Sequence, residues 1–157
     1  MAGGIRLVAA FEHAGTARIL VHGLKYRGLT AYADLVVATV SPQVPRLPVV
    51  PIPRAWTRQI RYGIDPAREI ARRLAVALDA PFLEVLRPPL HSRRRAGGDH
   101  TRPAPSFLAK QTIGGRFILV DDVVTTGATV RSAGESLGID GLALVVAANV
   151  ADRCLVS

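Results

Sequence analysis

Apolar residues fall along this chain in two patterns: short unbroken runs, and stripes spaced by three or four. The runs predict strands. Arg6 to Phe11 suits a first strand, and Leu47 to Ile52 a buried one closed by Pro51 and Pro53. Phe82 to Leu86 predicts another short strand, Phe117 to Val120 a fully buried strand, and Gly141 to Val150 the last. The stripes predict helices. Thr16 to Tyr26 carries Ile19, Leu20 and Leu24, with Gly28 as its stop. Leu29 to Val40 places Leu35, Val36 and Val40 on one side. Asp65-Pro66 reads as an N-cap followed by the first helical residue. From there Ala67, Ile70, Ala71, Leu74 and Leu78 form one stripe, and Arg68, Arg72 and Arg73 project elsewhere. Thr126-Gly127 opens a helix reaching about Leu137, and proline-rich Ser41 to Pro48 is a connection. Strands alternating with helices predict an α/β fold: a mainly parallel sheet with helices on both faces, residues 1–157 forming a single domain.

Composition narrows the class. Nearly half of the 157 residues are hydrophobic and one fifth are charged, a globular balance. No apolar run approaches the ~18 residues of a membrane span. The N-terminus lacks the pattern of a secretory leader, so a cytoplasmic location is expected. Cys154 is the one cysteine, which excludes an internal disulfide and a multi-thiolate zinc site. The four histidines, His13, His22, His91 and His100, have no ligand spacing, and no direct metal ligand is assigned. The formal net charge is +8, carried almost entirely by arginine, since Lys25 and Lys110 are the only lysines. Between Arg54 and Arg102, eleven arginines face five acids. The excess suits anionic partners, either phosphorylated metabolites or nucleic acid, or forms a solvated basic surface.

The chemistry concentrates at Val120-Asp121-Asp122-Val123-Val124-Thr125-Thr126-Gly127-Ala128-Thr129. The apolar run before it puts the acidic pair at the carboxyl end of a buried strand, where parallel α/β folds bind ligands. Adjacent carboxylates repel and are costly to bury unless they accept hydrogen bonds or face a metal. The next residues read as a turn of small and hydroxyl side chains leading into a helix, whose N–H groups and dipole suit a phosphate. Thr125, Thr126 and Thr129 add hydroxyls, and Gly127 allows close backbone approach. Diol acceptors beside a phosphate cradle describe a ribose 5-phosphate pocket. Neither a P-loop nor a dinucleotide fingerprint occurs.

This string resembles the phosphoribosyl pyrophosphate (PRPP) motif of type I phosphoribosyltransferases. Three further stretches resemble the ComF family, phosphoribosyltransferase-like proteins associated with bacterial competence: His22-Gly23-Leu24-Lys25-Tyr26-Arg27-Gly28, Val49-Val50-Pro51-Ile52-Pro53-Arg54 and Arg61-Tyr62-Gly63-Ile64-Asp65-Pro66-Ala67. The resemblance spans roughly Ile19 to Val150. It implies a type I phosphoribosyltransferase-like fold, with PRPP or a ribose 5-phosphate-bearing ligand held by residues 121–129. Asp121 and Asp122 would be the catalytic pair on the ribose hydroxyls, one of them through magnesium brought with PRPP. Three features depart from the family pattern. Its N-terminal four-cysteine zinc module is absent, Asp65-Pro66 replaces Asn-Gln, and Arg94 to Arg102 replaces a segment of glutamine, glycine, leucine, arginine and asparagine. The last lies where the catalytic loop of these enzymes runs, so it bears on turnover more than on binding.

Other residues are open to two readings each. Lys25, Arg54 and Arg58 are candidates for pyrophosphate or another anion; otherwise they are solvated charges, or in the case of Lys25 and Tyr26 a helix terminus. Arg93, Arg94 and Arg95 belong to a closing loop or to a nucleic-acid contact. Trp56 stacks on a base or packs. Arg87 to Ser106 has four prolines, Gly97-Gly98 and no apolar period, and predicts a mobile segment that PRPP with magnesium protects. Three functions follow: a magnesium-dependent phosphoribosyltransferase acting on a nitrogenous acceptor; a non-catalytic PRPP or nucleotide sensor that binds single-stranded DNA, with a helicase-like or uptake-machinery partner; or a structural partner alone.

Overall fold

The computed structural model describes residues 6–12, 30–54, 65–88, 106–124, 127–138 and 142–148. Strand β1 (Arg6–Glu12) is followed by helix α1 (Thr30–Val40), which runs into a 3-10 turn (Ser41–Gln43) and strand β2 (Val49–Pro51). Helix α2 (Pro66–Leu78) leads to strands β3 (Leu86–Arg87) and β4 (Leu108–Ala109). Strand β5 (Ile118–Val124), helix α3 (Ala128–Leu137) and strand β6 (Leu142–Ala148) complete the order. The main sheet has the order β1-β6-β5-β2 with every pair parallel, while β3 and β4 form a separate antiparallel pair. The expected α/β class with a mainly parallel sheet is therefore observed.

Side chains on β2 and β5 alternate between two cores, as the two-residue period of a strand dictates. Val49, Ile118 and Val120 pack with α1 and α2 through Val36, Val40, Ile70 and Leu74. Val50, Phe117 and Leu119 pack on the other face with Val130, Ala133 and Leu137 of α3 and with Leu86 and Phe107. Both faces of the sheet are covered, which is why its strands read as continuous apolar runs.

Helix α2 forms as its sequence predicts. Asp65 is the N-cap, accepting a hydrogen bond from Arg68 N, and Pro66 occupies the first turn, where its missing N–H costs nothing. Ala67, Ile70, Ala71 and Leu74 are buried, and Asp79 closes the helix in the left-handed conformation. Helix α1 corrects the expected stripe. Its buried positions are Tyr32, Ala33, Val36, Val37 and Val40, and Leu35 is half exposed. Tyr32, Val36 and Val40 form the row facing α2 and the sheet, and Leu35 lies about 100° round the helix from Val36.

The expected strand from Phe82 to Leu86 is divided in two. Phe82 bridges Val49 in parallel on the outer side of β2, and Leu86 turns to pair with Ala109. Val49 N donates to Pro81 O at 2.8 Å, and Leu83 N donates to Val49 O at 2.9 Å. By alternation Pro51 turns its nitrogen toward this outer side, past the last of these bonds, so a proline is tolerated there. The expected helix from Thr16 to Tyr26 lies outside the described residues, as does most of Arg87 to Ser106. Among the described residues, no helix is long and apolar enough to cross a membrane.

Candidate functional site

Strands β2 and β5 are neighbours, but the chain leaves them in opposite directions. From β2 it passes through α2 to Phe82 on the far side of β2; from β5 it passes through α3 to β6 on the far side of β5. Such a reversal leaves a crevice at the carboxyl ends of the two strands. Pairing of β5 with β2 ends at Val120–Pro51, while pairing with β6 continues to Val124–Ala148. Asp121 and Asp122 thus stand where β5 has lost one neighbour and kept the other. The acids lie within the strand rather than after it. Val123 and Val124 belong to the strand too, which corrects their expected place in a turn: their backbone is held by Ala147 and Ala148.

The pleat relieves the repulsion between the two acids. Asp122 follows Ile118 and Val120 onto the α2 face, and Asp121 follows Phe117 and Leu119 onto the α3 face. Asp121 is buried, and its Oδ1 accepts the backbone N–H of Asp122 at 2.8 Å. Asp122 Oδ2 accepts from Arg54 Nη2 at 2.8 Å, with only 13% of the arginine and 14% of the aspartate side chain exposed.

Arg54 comes from the segment after β2, which is tied down twice. Ile52 N donates to Val120 O at 2.9 Å, and Arg54 N donates to Asp65 Oδ2 at 3.4 Å. Asp65 also takes Arg68 N on Oδ1 at 3.4 Å, so one buried carboxylate joins the start of α2 to the end of β2. Burial pushes the Asp65 carboxyl above its ordinary range; the N–H donors of Arg68 and Arg54 and the Arg54 charge oppose this, and the Asp122 charge adds to it. Sequence reasoning took Asp65 as a helix cap and missed its second contact. The available signal was an acid capping a helix that follows a strand-end arginine.

Gly127 brings α3 to the same edge. It sits at φ 73°, a left-handed conformation costly for other residues, and Arg131 N closes the first helical turn on its carbonyl at 2.9 Å. The positive end of the helix dipole lies there. Ala128 and Thr129 in that turn are partly exposed. The site candidates Thr125, Thr126, Lys25 and Arg58 lie outside the described residues, as do Tyr26, Trp56, Arg93, Arg94 and Arg95. The described residues therefore bring together Asp121, Asp122, Arg54 and Asp65, with Gly127, Ala128 and Thr129 opening the helix that follows β5.

Three arginines of the basic region, all on α2, are engaged away from this edge. Arg68 binds Glu84, Arg72 binds Glu69, and Arg73 binds both Glu69 and Asp34. Hydrogen bonding from Arg68 holds the Glu84 carboxyl below its usual range. Among the described residues, no group of three or more histidines, cysteines or acids is arranged to hold a metal ion.

No protein-family model matches the chain, and no curated protein does. Among solved structures, the chain is similar to a crystal structure of adenine phosphoribosyltransferase, with 20% identity and a TM-score of 0.43, over 81% of this chain and 74% of that one. It is also similar to adenine phosphoribosyltransferase from Saccharomyces cerevisiae in complex with an imino-altritol bisphosphate and adenine. The identity there is 20% and the TM-score 0.40, over 77% of this chain and 69% of the other.

Proposed function

We propose that the crevice between β2 and β5 binds the ribose 5-phosphate part of PRPP, and that the protein is phosphoribosyltransferase-like in function. One observation carries this reading: two adjacent carboxylates on β5, at the reversal point of a parallel sheet, followed after four residues by a glycine-led helix N-terminus. Asp121 and Asp122 would accept hydrogen bonds from the ribose hydroxyls. Thr125 to Thr129 and the first turn of α3 would receive the 5-phosphate. Arg54 would supply positive charge on the side where pyrophosphate departs.

In the reaction, the bond from ribose C1 to the pyrophosphate oxygen breaks and a bond from C1 to an acceptor nitrogen forms. The acceptor's proton passes to solvent or to the leaving group. The carboxylates steady the sugar as C1 becomes cationic. Magnesium suits this donor set, because it is usually held by one or two carboxylates together with substrate phosphates rather than by an all-protein cage. It would neutralise charge on the pyrophosphate.

A role of the ComF kind, in competence and DNA uptake, is the finer form of this proposal. It draws on the motif resemblance and on the net charge of +8. Since Arg68, Arg72 and Arg73 are paired with acids, contact with single-stranded DNA would fall to Arg93, Arg94 and Arg95.

Calorimetry with PRPP and magnesium tests the reading, followed by a product assay across nitrogenous bases. Wild-type protein should bind PRPP, and Asp121→Asn/Asp122→Asn should abolish binding. Undiminished binding by the double variant would remove the site assignment. Binding without product for any base would favour the sensor over the enzyme.

A further inference from the structure

We propose that Arg54 is a specificity-determining residue: as the built-in counter-ion of Asp122, it makes the crevice select a ribose 5-phosphate that carries a second anionic group over one that does not. The inference rests on the ribose-phosphate reading above and adds the basis of its selectivity.

The guanidinium lies 2.8 Å from Asp122 Oδ2 in a pair almost withdrawn from water. Its backbone is tethered at two points, by Ile52 N on Val120 O and by Arg54 N on Asp65 Oδ2. With the backbone held at these points, releasing Asp122 calls for rotation of the arginine side chain. A sugar diol that takes Asp122 Oδ2 as its acceptor must draw that oxygen away from the guanidinium. Arginine does not deprotonate in proteins, so the displaced group stays charged. Leaving one member of a buried pair without its counter-ion costs more than a neutral hydrogen bond returns. A ligand with a pyrophosphate brings a replacement anion, and guanidinium–phosphate contacts are among the stronger hydrogen bonds. A ligand without one leaves Arg54 only the Asp65 carboxylate, which lies beyond ion-pair distance and whose own charge burial disfavours. Discrimination then arises from a penalty on the wrong ligand. Asp121 is directed to the opposite face, so losing it should weaken both ligands alike.

The test measures dissociation constants for ribose 5-phosphate and for PRPP, each with magnesium, by calorimetry. Wild type should prefer PRPP. In Arg54→Met, ribose 5-phosphate should bind more tightly and PRPP less tightly, collapsing the preference by about tenfold or more. Arg54→Lys, which keeps the charge, should retain most of the preference, and Asp121→Asn should weaken both ligands by a similar factor. A second measurement needs no variant: saturating inorganic pyrophosphate should tighten ribose 5-phosphate binding to wild-type protein by about threefold or more, because it supplies the missing anion. Equal weakening of both ligands in Arg54→Met, or pyrophosphate that leaves or lowers ribose 5-phosphate affinity, would overturn the proposal while sparing the ribose-phosphate reading. Wild-type protein that binds neither ligand would overturn that reading itself.

Discussion

Asp65 Oδ2 accepts the backbone N–H of Arg54 across eleven residues of chain, so the cap of α2 also locates the arginine that meets Asp122. Its charge is destabilising where it stands. Burial raises its folded pKa above the unfolded value, so the folded state favours the protonated form. The stability associated with that form is fully present below the unfolded pKa and is lost as pH rises through the folded one. Asp65→Asn removes the charge but keeps one acceptor oxygen in place of two, so it also gives up one of the two backbone hydrogen bonds. The difference in melting temperature, variant minus wild type, should fall as pH falls through the folded pKa of Asp65 toward the unfolded carboxylate value of about 3.9. Melting curves of both proteins across that range check the sign; a difference that rises in acid would refute it.

Leu74 and Val76 lie two residues apart on α2 with opposite environments. Leu74 is fully buried between the helix and the sheet, and Val76 is 77% exposed. Leu74→Ala should cost about 2–5 kcal/mol by loss of burial and creation of a cavity. Val76→Ala should stay within about 0.5 kcal/mol. Urea unfolding at equal slope separates the two.

Gly127 adopts φ 73° immediately before α3. An alanine there must hold a left-handed backbone, at a cost of roughly 1–2 kcal/mol. Gly127→Ala should lower the melting temperature and weaken ribose 5-phosphate binding together, because the same turn aims the helix N-terminus. Calorimetry and thermal melting on one sample set test the coupling. A variant with reduced stability and unchanged ligand affinity would separate Gly127 from the phosphate cradle.

The arginines of α2 should contribute little to nucleic-acid binding, since Arg72 and Arg73 are held by Glu69 and Asp34. Arg72→Ala/Arg73→Ala should leave oligonucleotide affinity and its salt slope nearly unchanged. Arg93→Ala/Arg94→Ala/Arg95→Ala should reduce both if the DNA-contact reading holds, as counterion release requires. Titrations of labelled single strands at several salt concentrations distinguish the two sets. Failure of wild-type protein to bind at low salt would end that reading.

Local chemistry along the chain determined several elements outright. Asp65-Pro66 starts a helix in almost any context, and the stripe from Ala67 to Leu74 had one buried face to offer. The unbroken run from Phe117 to Val120 required cover on both sides and received it. The same logic located Asp121 and Asp122 near the carboxyl edge of a parallel sheet. Tertiary structure decided what periodicity leaves open. Leu35 is as apolar as Val36, and only the placement of α1 against α2 and the sheet made one exposed and the other buried. Val123 and Val124 became strand because β6 continues alongside them after β2 has ended. The ion pair of Arg54 with Asp122 spans 68 residues, and its brace on Asp65 depends on α2 beginning where β2 stops. No local pattern encodes a contact of that kind, because it arises from strand order, and strand order is settled by which faces the helices cover.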